Sequence, residues 1–194
     1  MNRNATISRI TNETNVQVEL AIDGTGVTDV DTGVGMYDHL LTSFGLHGSF
    51  DLKIRTVGDL HIDEHHTVED TAIALGQAFD DALGDRVGIR RFADAAVPMD
   101  EALARVAVDA GGRSHTNLSL AFNAPMIGTL GTQMIPHALE AFAKSARMTI
   151  HISSDGRNDH HVAEATFKAL ARALRQVCEI DPRRSGVPST KGSL

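Results

Sequence analysis

Apolar residues alternate with polar ones at Val16, Val18, Leu20 and Ile22, a period of two that predicts a strand with one buried face. Ile7 to Ile10 predicts a strand ahead of it, and Asp23-Gly24-Thr25-Gly26 marks a turn behind it. Residues 35–46 then read as a short helix, and Phe50, Leu52 and Ile54 alternate on a further strand. After that the period lengthens. Val68, Ala72, Leu75, Phe79 and Ala82 are spaced by four and three, one apolar stripe on a helix over about 64–83. Gly84 offers a stop just past its end.

The second half runs through the same order. Leu103 to Val108 and Leu118 to Phe122 predict strands, and residues 134–146 a helix that tolerates Pro136 in its first turn. Met148, Ile150 and Ile152 alternate on a strand. A helix over about 159–178 carries the stripe Ala163, Phe167, Leu170, Leu174 and Val177, 95 positions after the first. Between 65–80 and 160–175, seven of sixteen positions are identical, core and polar positions alike, which points to a tandem duplication. The expected fold is α+β, a β-β-α-β-α unit used twice, with sheet on one side and helices on the other. One domain spans 1–194, made of repeats over about 1–95 and 96–186 and a tail at 187–194.

Composition narrows the partners. The chain is 42% hydrophobic but 4% aromatic, so aliphatic and small residues must fill the core. A net charge of −7 argues against nucleic acid or an anionic membrane as the main partner. A single cysteine, Cys178, excludes an intramolecular disulfide and fits a reducing compartment. No apolar run has the length of a membrane span, and the first residues lack a signal-peptide pattern, so a cytoplasmic protein is expected.

The duplicated helices carry duplicated chemistry. His65-His66-Thr67-Val68-Glu69 and His160-His161-Val162-Ala163-Glu164 share the pattern HHxxE. His39 and His137 sit in matching M-x-x-H-x-L-x-x-F contexts. On a helix, His65 shares a face with Glu69, while His66 diverges from His65 by about 100°. Adjacent histidines therefore serve two ions, or one ion and a substrate. Mixed imidazole and carboxylate ligands suit manganese, iron, cobalt or zinc, and two matched sets suggest a two-metal centre. His47, His61, His115 and His151 have no counterpart in the other repeat and read as surface histidines or supports for ligands.

Groups for an anion are scattered. Pro188-Ser189-Thr190-Lys191-Gly192 offers hydroxyls, an ammonium and backbone N–H groups, and Arg91 and Arg113 lie beside turns. Lys168 follows Glu164 by four residues, which brings it to the rim of the proposed metal site and also reads as a simple ion pair. Glu13 precedes a strand and by itself passes for a solvated carboxylate.

Gly58-Asp59-Leu60-His61-Ile62-Asp63 running into HHTVEDTAIALGQA resembles the imidazoleglycerol-phosphate dehydratase family. So do Tyr37-Asp38-His39-Leu40-Leu41, Val97-Pro98-Met99-Asp100-Glu101-Ala102-Leu103, Asn158-Asp159-HHVAEATFKALARAL and the PSTKG near the end. The resemblance covers essentially the whole chain, and the monofunctional form, without a phosphatase segment ahead of the domain, is expected. It implies a ribosomal protein S5 domain 2-like fold, two manganese ions per chain, and a 24-subunit shell with active sites between subunits. It implies dehydration of imidazole glycerol phosphate to imidazole acetol phosphate in histidine biosynthesis. By position, His39, His65, His66, Glu69, His137, His160, His161 and Glu164 match metal ligands, with the HHxxE residues at the catalytic centre. Glu13, Arg91, Arg113, Lys168, Ser189 and Lys191 match substrate contacts. Two places depart from the pattern: Ala93 stands where the family usually has Gly, and Ser114-His115 follow Arg113 in place of Pro and an aromatic residue.

In that reaction the carbon-bound proton is not beside a carbonyl. The metals would serve as Lewis acids and templates. Glu13 is the candidate base, with a metal-held hydroxide as the alternative. A binuclear metallohydrolase releasing phosphate from a small phosphorylated metabolite is the rival enzyme, and a metal-storage assembly without turnover the rival of another class.

Overall fold

The structure, a computed structural model, describes residues 3–192. The first repeat holds β1 (Asn4–Ile10), β2 (Thr14–Ala21), β3 (Thr28–Asp31), α1 (Gly35–Gly48), β4 (Asp51–Gly58) and α2 (His65–Leu83). The second holds β5 (Phe92–Met99), β6 (Ala102–Asp109), β7 (His115–Leu120), a small hairpin of β8 (Met126–Ile127) and β9 (Leu130–Gly131), α3 (Met134–Ser145), β10 (Thr149–Asp155) and α4 (Asp159–Cys178).

The two sheets have the same order, β1-β2-β4-β3 and β5-β6-β10-β7. In both, the last strand pairs parallel and the others antiparallel. The duplication and the sheet-on-helix layering are therefore as expected, with one more strand in each four-stranded sheet than the pattern reveals, and the β8–β9 hairpin besides. β3 reads Thr-Asp-Val-Asp and buries little but Val30. β5 turns Ala93, Ala95, Val97 and Met99 inward and tolerates Pro98 because it is an edge strand. Since β5 begins the second sheet, the seam falls at Phe92, slightly ahead of the expected position near 95.

Phe50 and Met148, expected on strands, instead close the preceding helices. Ser49 and Arg147 adopt left-handed backbone, with φ of 55° and 53°. The Phe50 N–H then reaches Gly45 O at 2.9 Å, and the Met148 N–H reaches Ala143 O at 3.0 Å. This is the Schellman closure with an apolar residue beyond it, and both apolar residues are fully buried. Gly84 ends α2 as expected, at φ 51°.

Each sheet buries one face on its own helices, α2 under β1 and β2, α4 under β5 and β6. The helices also cross between repeats: α2 packs on α3, and α1 on α4. A Cβ on Gly76 would stand 2.6 Å from Phe142 O, so this glycine sets how closely α2 approaches α3. One continuous apolar core results. No helix among the described residues is long and apolar enough to cross a membrane.

Candidate metal centres and anion cleft

The crossed helix packing brings the predicted ligands together across the repeats. His39 on α1 joins His160 and Glu164 on α4, and His137 on α3 joins His65 and Glu69 on α2. In each set the ligand atoms all lie within 4.8 Å of one another. His39 Nε2 and His160 Nε2 are each 3.1 Å from Glu164 Oε2, and His137 Nε2 is 3.1 Å from Glu69 Oε1. Two imidazole nitrogens and a carboxylate oxygen converging on one point fit a divalent first-row metal and leave further positions open. Burial works to raise the Glu164 carboxyl, but hydrogen bonds from Lys168 and His39, with the Lys168 charge, outweigh it and hold the group down at about 2. A carboxylate kept ionised in this way is ready to ligate.

His66 and His161 stand outside both sets. The rings of His65 and His66 are 5.8 Å apart and close to perpendicular, as neighbours on a helix must be. Their Nδ1 atoms are held by carboxylates: Asp59 at 3.0 Å from His66 and Glu101 at 2.9 Å from His161. The Asp59 bond raises the His66 pKa, and the His161 bond with the Asn158 N–H lowers Glu101 to about 2. A carboxylate on Nδ1 fixes the tautomer that leaves the Nε2 lone pair free for an ion. Glu13 Oε1 lies 3.7 Å from Nε2 of His66.

Asp59 and Glu101 escaped the sequence reading as functional residues. Glu101 could have been found through the duplication, since it precedes β6 as Glu13 precedes β2. Asp59 has no such counterpart.

The basic candidates separate. Arg91, Arg113, Ser189 and Lys191 line one cleft of about 730 Å³, together with Arg184, which sequence reasoning passed over. Arg91 is engaged in holding the cleft together. Its Nε and Nη2 donate to Asp109 at 2.7 and 3.0 Å, and Nη1 donates to Pro188 O at 2.7 Å. Among the described residues Arg113 and Lys191 have no carboxylate partner. Lys168 lies elsewhere, on the metal cluster, with Nζ 2.7 Å from Glu164 Oε1.

Cleft and clusters lie at opposite ends of the long helices α2 and α4. The cleft sits where β5 begins and β6 ends, and Arg91 N–H bonds Val177 O near the end of α4. His160 lies in the first turn of α4, roughly 25 Å away at the rise of an α-helix. Likewise α2 starts at His65, whereas past its end Arg86 donates to Ala110 O beside the cleft, again roughly 25 Å off.

The duplicated α+β fold thus carries two candidate metal-ligand clusters and a separate cleft lined by basic residues. The family model described as imidazoleglycerol-phosphate dehydratase matches residues 32–174, and the chain belongs to that family. It is 58% identical to the imidazoleglycerol-phosphate dehydratase of Thermobifida fusca, over 100% of both chains. It is 52% identical to that of Methanococcoides burtonii, covering 99% of this chain and 100% of the relative. Among solved structures, the imidazoleglycerol-phosphate dehydratase of Staphylococcus aureus superposes with a TM-score of 0.83 at 32% identity, covering 92% of this chain and 99% of that one. IGPD from Pyrococcus furiosus gives 0.84 at 33% identity, covering 97% and 100%.

Proposed function

We infer that this chain removes water from imidazole glycerol phosphate, giving imidazole acetol phosphate in histidine biosynthesis, at sites assembled from more than one copy of the chain. Membership of the family supports the reaction. The observation that carries the shared site is the separation just described. A small phosphorylated imidazole cannot reach from a metal cluster to a cleft roughly 25 Å away. The cleft of one copy must therefore meet the clusters of another, consistent with the 24-subunit shell that the family resemblance implies.

His39, His160 and Glu164 would hold one ion, and His65, Glu69 and His137 the other, two per chain, with manganese the expected metal. His66 and His161, whose Nδ1 atoms are already committed, would complete the clusters of a neighbouring copy through Nε2. When bound, the ions supply Lewis acidity to the imidazole ring and the departing hydroxyl.

The chain's own groups do the rest. Arg113 and Lys191 bind the phosphate and Ser189 adds a hydrogen bond, while Arg91 fixes the tail that carries them. Lys168 orients Glu164 by its ion pair. Glu13, exposed and beside His66, takes the carbon-bound proton. Remote binding of the phosphate lowers the barrier only if it aligns that carbon with Glu13.

Product analysis with imidazole glycerol phosphate and Mn²⁺ tests the reading. The ketone product should form without free phosphate. Phosphate release would favour the metallohydrolase instead.

A further inference from the structure

The two repeats differ in how they hold the turn that carries Glu13. That turn, Asn12-Glu13, joins β1 to β2, as Asp100-Glu101 joins β5 to β6. Glu101 is fixed by its own carboxylate, which accepts from His161 and from the backbone N–H groups of Arg157 and Asn158. Among the described residues the Glu13 carboxylate has no hydrogen bond, because Asp59 has taken Nδ1 of His66. The position of Glu13 therefore depends on what holds its turn.

Asp70 holds it. This carboxylate, next to Glu69 on α2, is 5% exposed. Arg9 Nε donates to it at 2.9 Å, and the Thr14 hydroxyl donates to its other oxygen. Thr11 Oγ1 is 3.2 Å from Thr14 Oγ1 and accepts the Glu13 N–H at 3.1 Å. A buried charge thus ties both strands beside the turn to the helix of HHTVE. At the equivalent places the second repeat has Val97, Met99, Ala102 and Ala165 for Arg9, Thr11, Thr14 and Asp70. The same fold closes there with an apolar set, so the polar clamp is not a requirement of the fold. Replacing such a buried ionic group with apolar residues is often neutral for stability, so its presence calls for another reason.

We propose that Asp70 is a positioning residue that, with Arg9, Thr11 and Thr14, holds the Glu13 carboxylate at the Nε2 side of His66, restricting the proton-transferring role to the first repeat. The proposal rests on the reading of Glu13 as the base.

The test uses the full chain loaded with Mn²⁺ in its assembled form. Asp70→Asn and Thr14→Val should lower kcat about tenfold to a hundredfold, the scale of a 1 Å misplacement, with KM within about twofold and manganese content unchanged. Each clamp change added to Glu13→Gln should lower kcat no further than Glu13→Gln alone. If Asp70→Asn does not fold, the transplant Arg9→Val, Thr11→Met, Thr14→Ala, Asp70→Ala copies a set the fold already accepts and should show the same loss. Full turnover in Glu13→Gln would remove the base reading, and the clamp with it. A slow Glu13→Gln beside clamp variants of wild-type kcat would overturn the clamp alone. So would losses that multiply in the combined variants, or loss of manganese, which would mean that Asp70 acts through Glu69.

Discussion

His137 Nε2 lies 3.1 Å from Glu69 Oε1, although the two residues are 68 positions apart and belong to different repeats. His39 and Glu164 repeat the relationship at 3.1 Å and 125 positions. Neither repeat holds a complete cluster of candidate ligands, so each cluster depends on the packing of one repeat against the other.

Crossed clusters predict selective loss of metal. His39→Ala should empty the cluster with His160 and Glu164 while sparing the one with His65, Glu69 and His137. Metal analysis of the saturated protein should fall from two ions per chain toward one. An unchanged count would show that His39 is not a ligand.

The packing that builds these clusters is open to test at Gly76. A Cβ there would meet Phe142 O at 2.6 Å and Ser145 Cβ at 2.7 Å. Gly76→Ala should destabilise the fold by about 1–3 kcal/mol, the usual range for overpacking. By pushing α3 from α2 it should also weaken metal binding at the His137 cluster. Denaturant melts and metal titration check both effects.

Acid should loosen the metal-free protein in a defined window. The folded pKa values of Glu101 and Glu164, both at about 2, lie below the ordinary value of 4.5. A depressed carboxyl stabilises the fold above its unfolded pKa and loses that contribution as pH falls through the folded one. Thermal stability should therefore decline between pH 4.5 and about 2, and Glu101→Gln should flatten the decline. Melting curves across that range decide it, and a pH-independent Tm would contradict the assignment.

The cleft should act on substrate binding with the fold left intact. Lys191 is exposed in a short tail with few apolar residues. Losing one charge-assisted contact costs roughly 1.5–3 kcal/mol, so Lys191→Ala should raise KM about ten- to a hundredfold. Arg91→Ala should be worse, because it also frees Asp109 and Pro188 O. Circular dichroism and steady-state kinetics separate loss of fold from loss of binding.

Much of this arrangement was legible in the chain. The period-two and four-three patterns located strands such as β2, β4 and β10 and the two long helices, because those elements bury continuous apolar faces. β3 stayed hidden because Val30 is the one large apolar residue it turns inward, and β5 because Phe92, Ala96 and Pro98 on its outer face erase the alternation with Ala93, Ala95, Val97 and Met99 inside. The doubled HHxxE marked candidate ligands, since covalent spacing on a helix decides which side chains share a face. It could not give the pairing of His39 with α4 or His137 with α2, which depends on how helices of different repeats pack. The four-residue spacing to Glu164 did put Lys168 at the metal cluster, but spacing could not show that Arg91, Arg113, Ser189 and Lys191 gather at the far end of the long helices. Asp70 carries no signal in the sequence, because its burial and its partners on β1 and β2 arise only when helix and sheet pack.

The central claim is that one copy supplies the phosphate cleft and another the metal clusters. Co-expressing two inactive variants tests it directly: Arg113→Ala with Lys191→Ala, which disables the cleft, and Glu69→Gln with Glu164→Gln, which disables the clusters. Each alone should be inactive. Mixed assemblies should recover dehydration of imidazole glycerol phosphate, because some sites then combine an intact cleft with intact clusters. Mixed assemblies that form but remain as inactive as their parents would contradict the shared site.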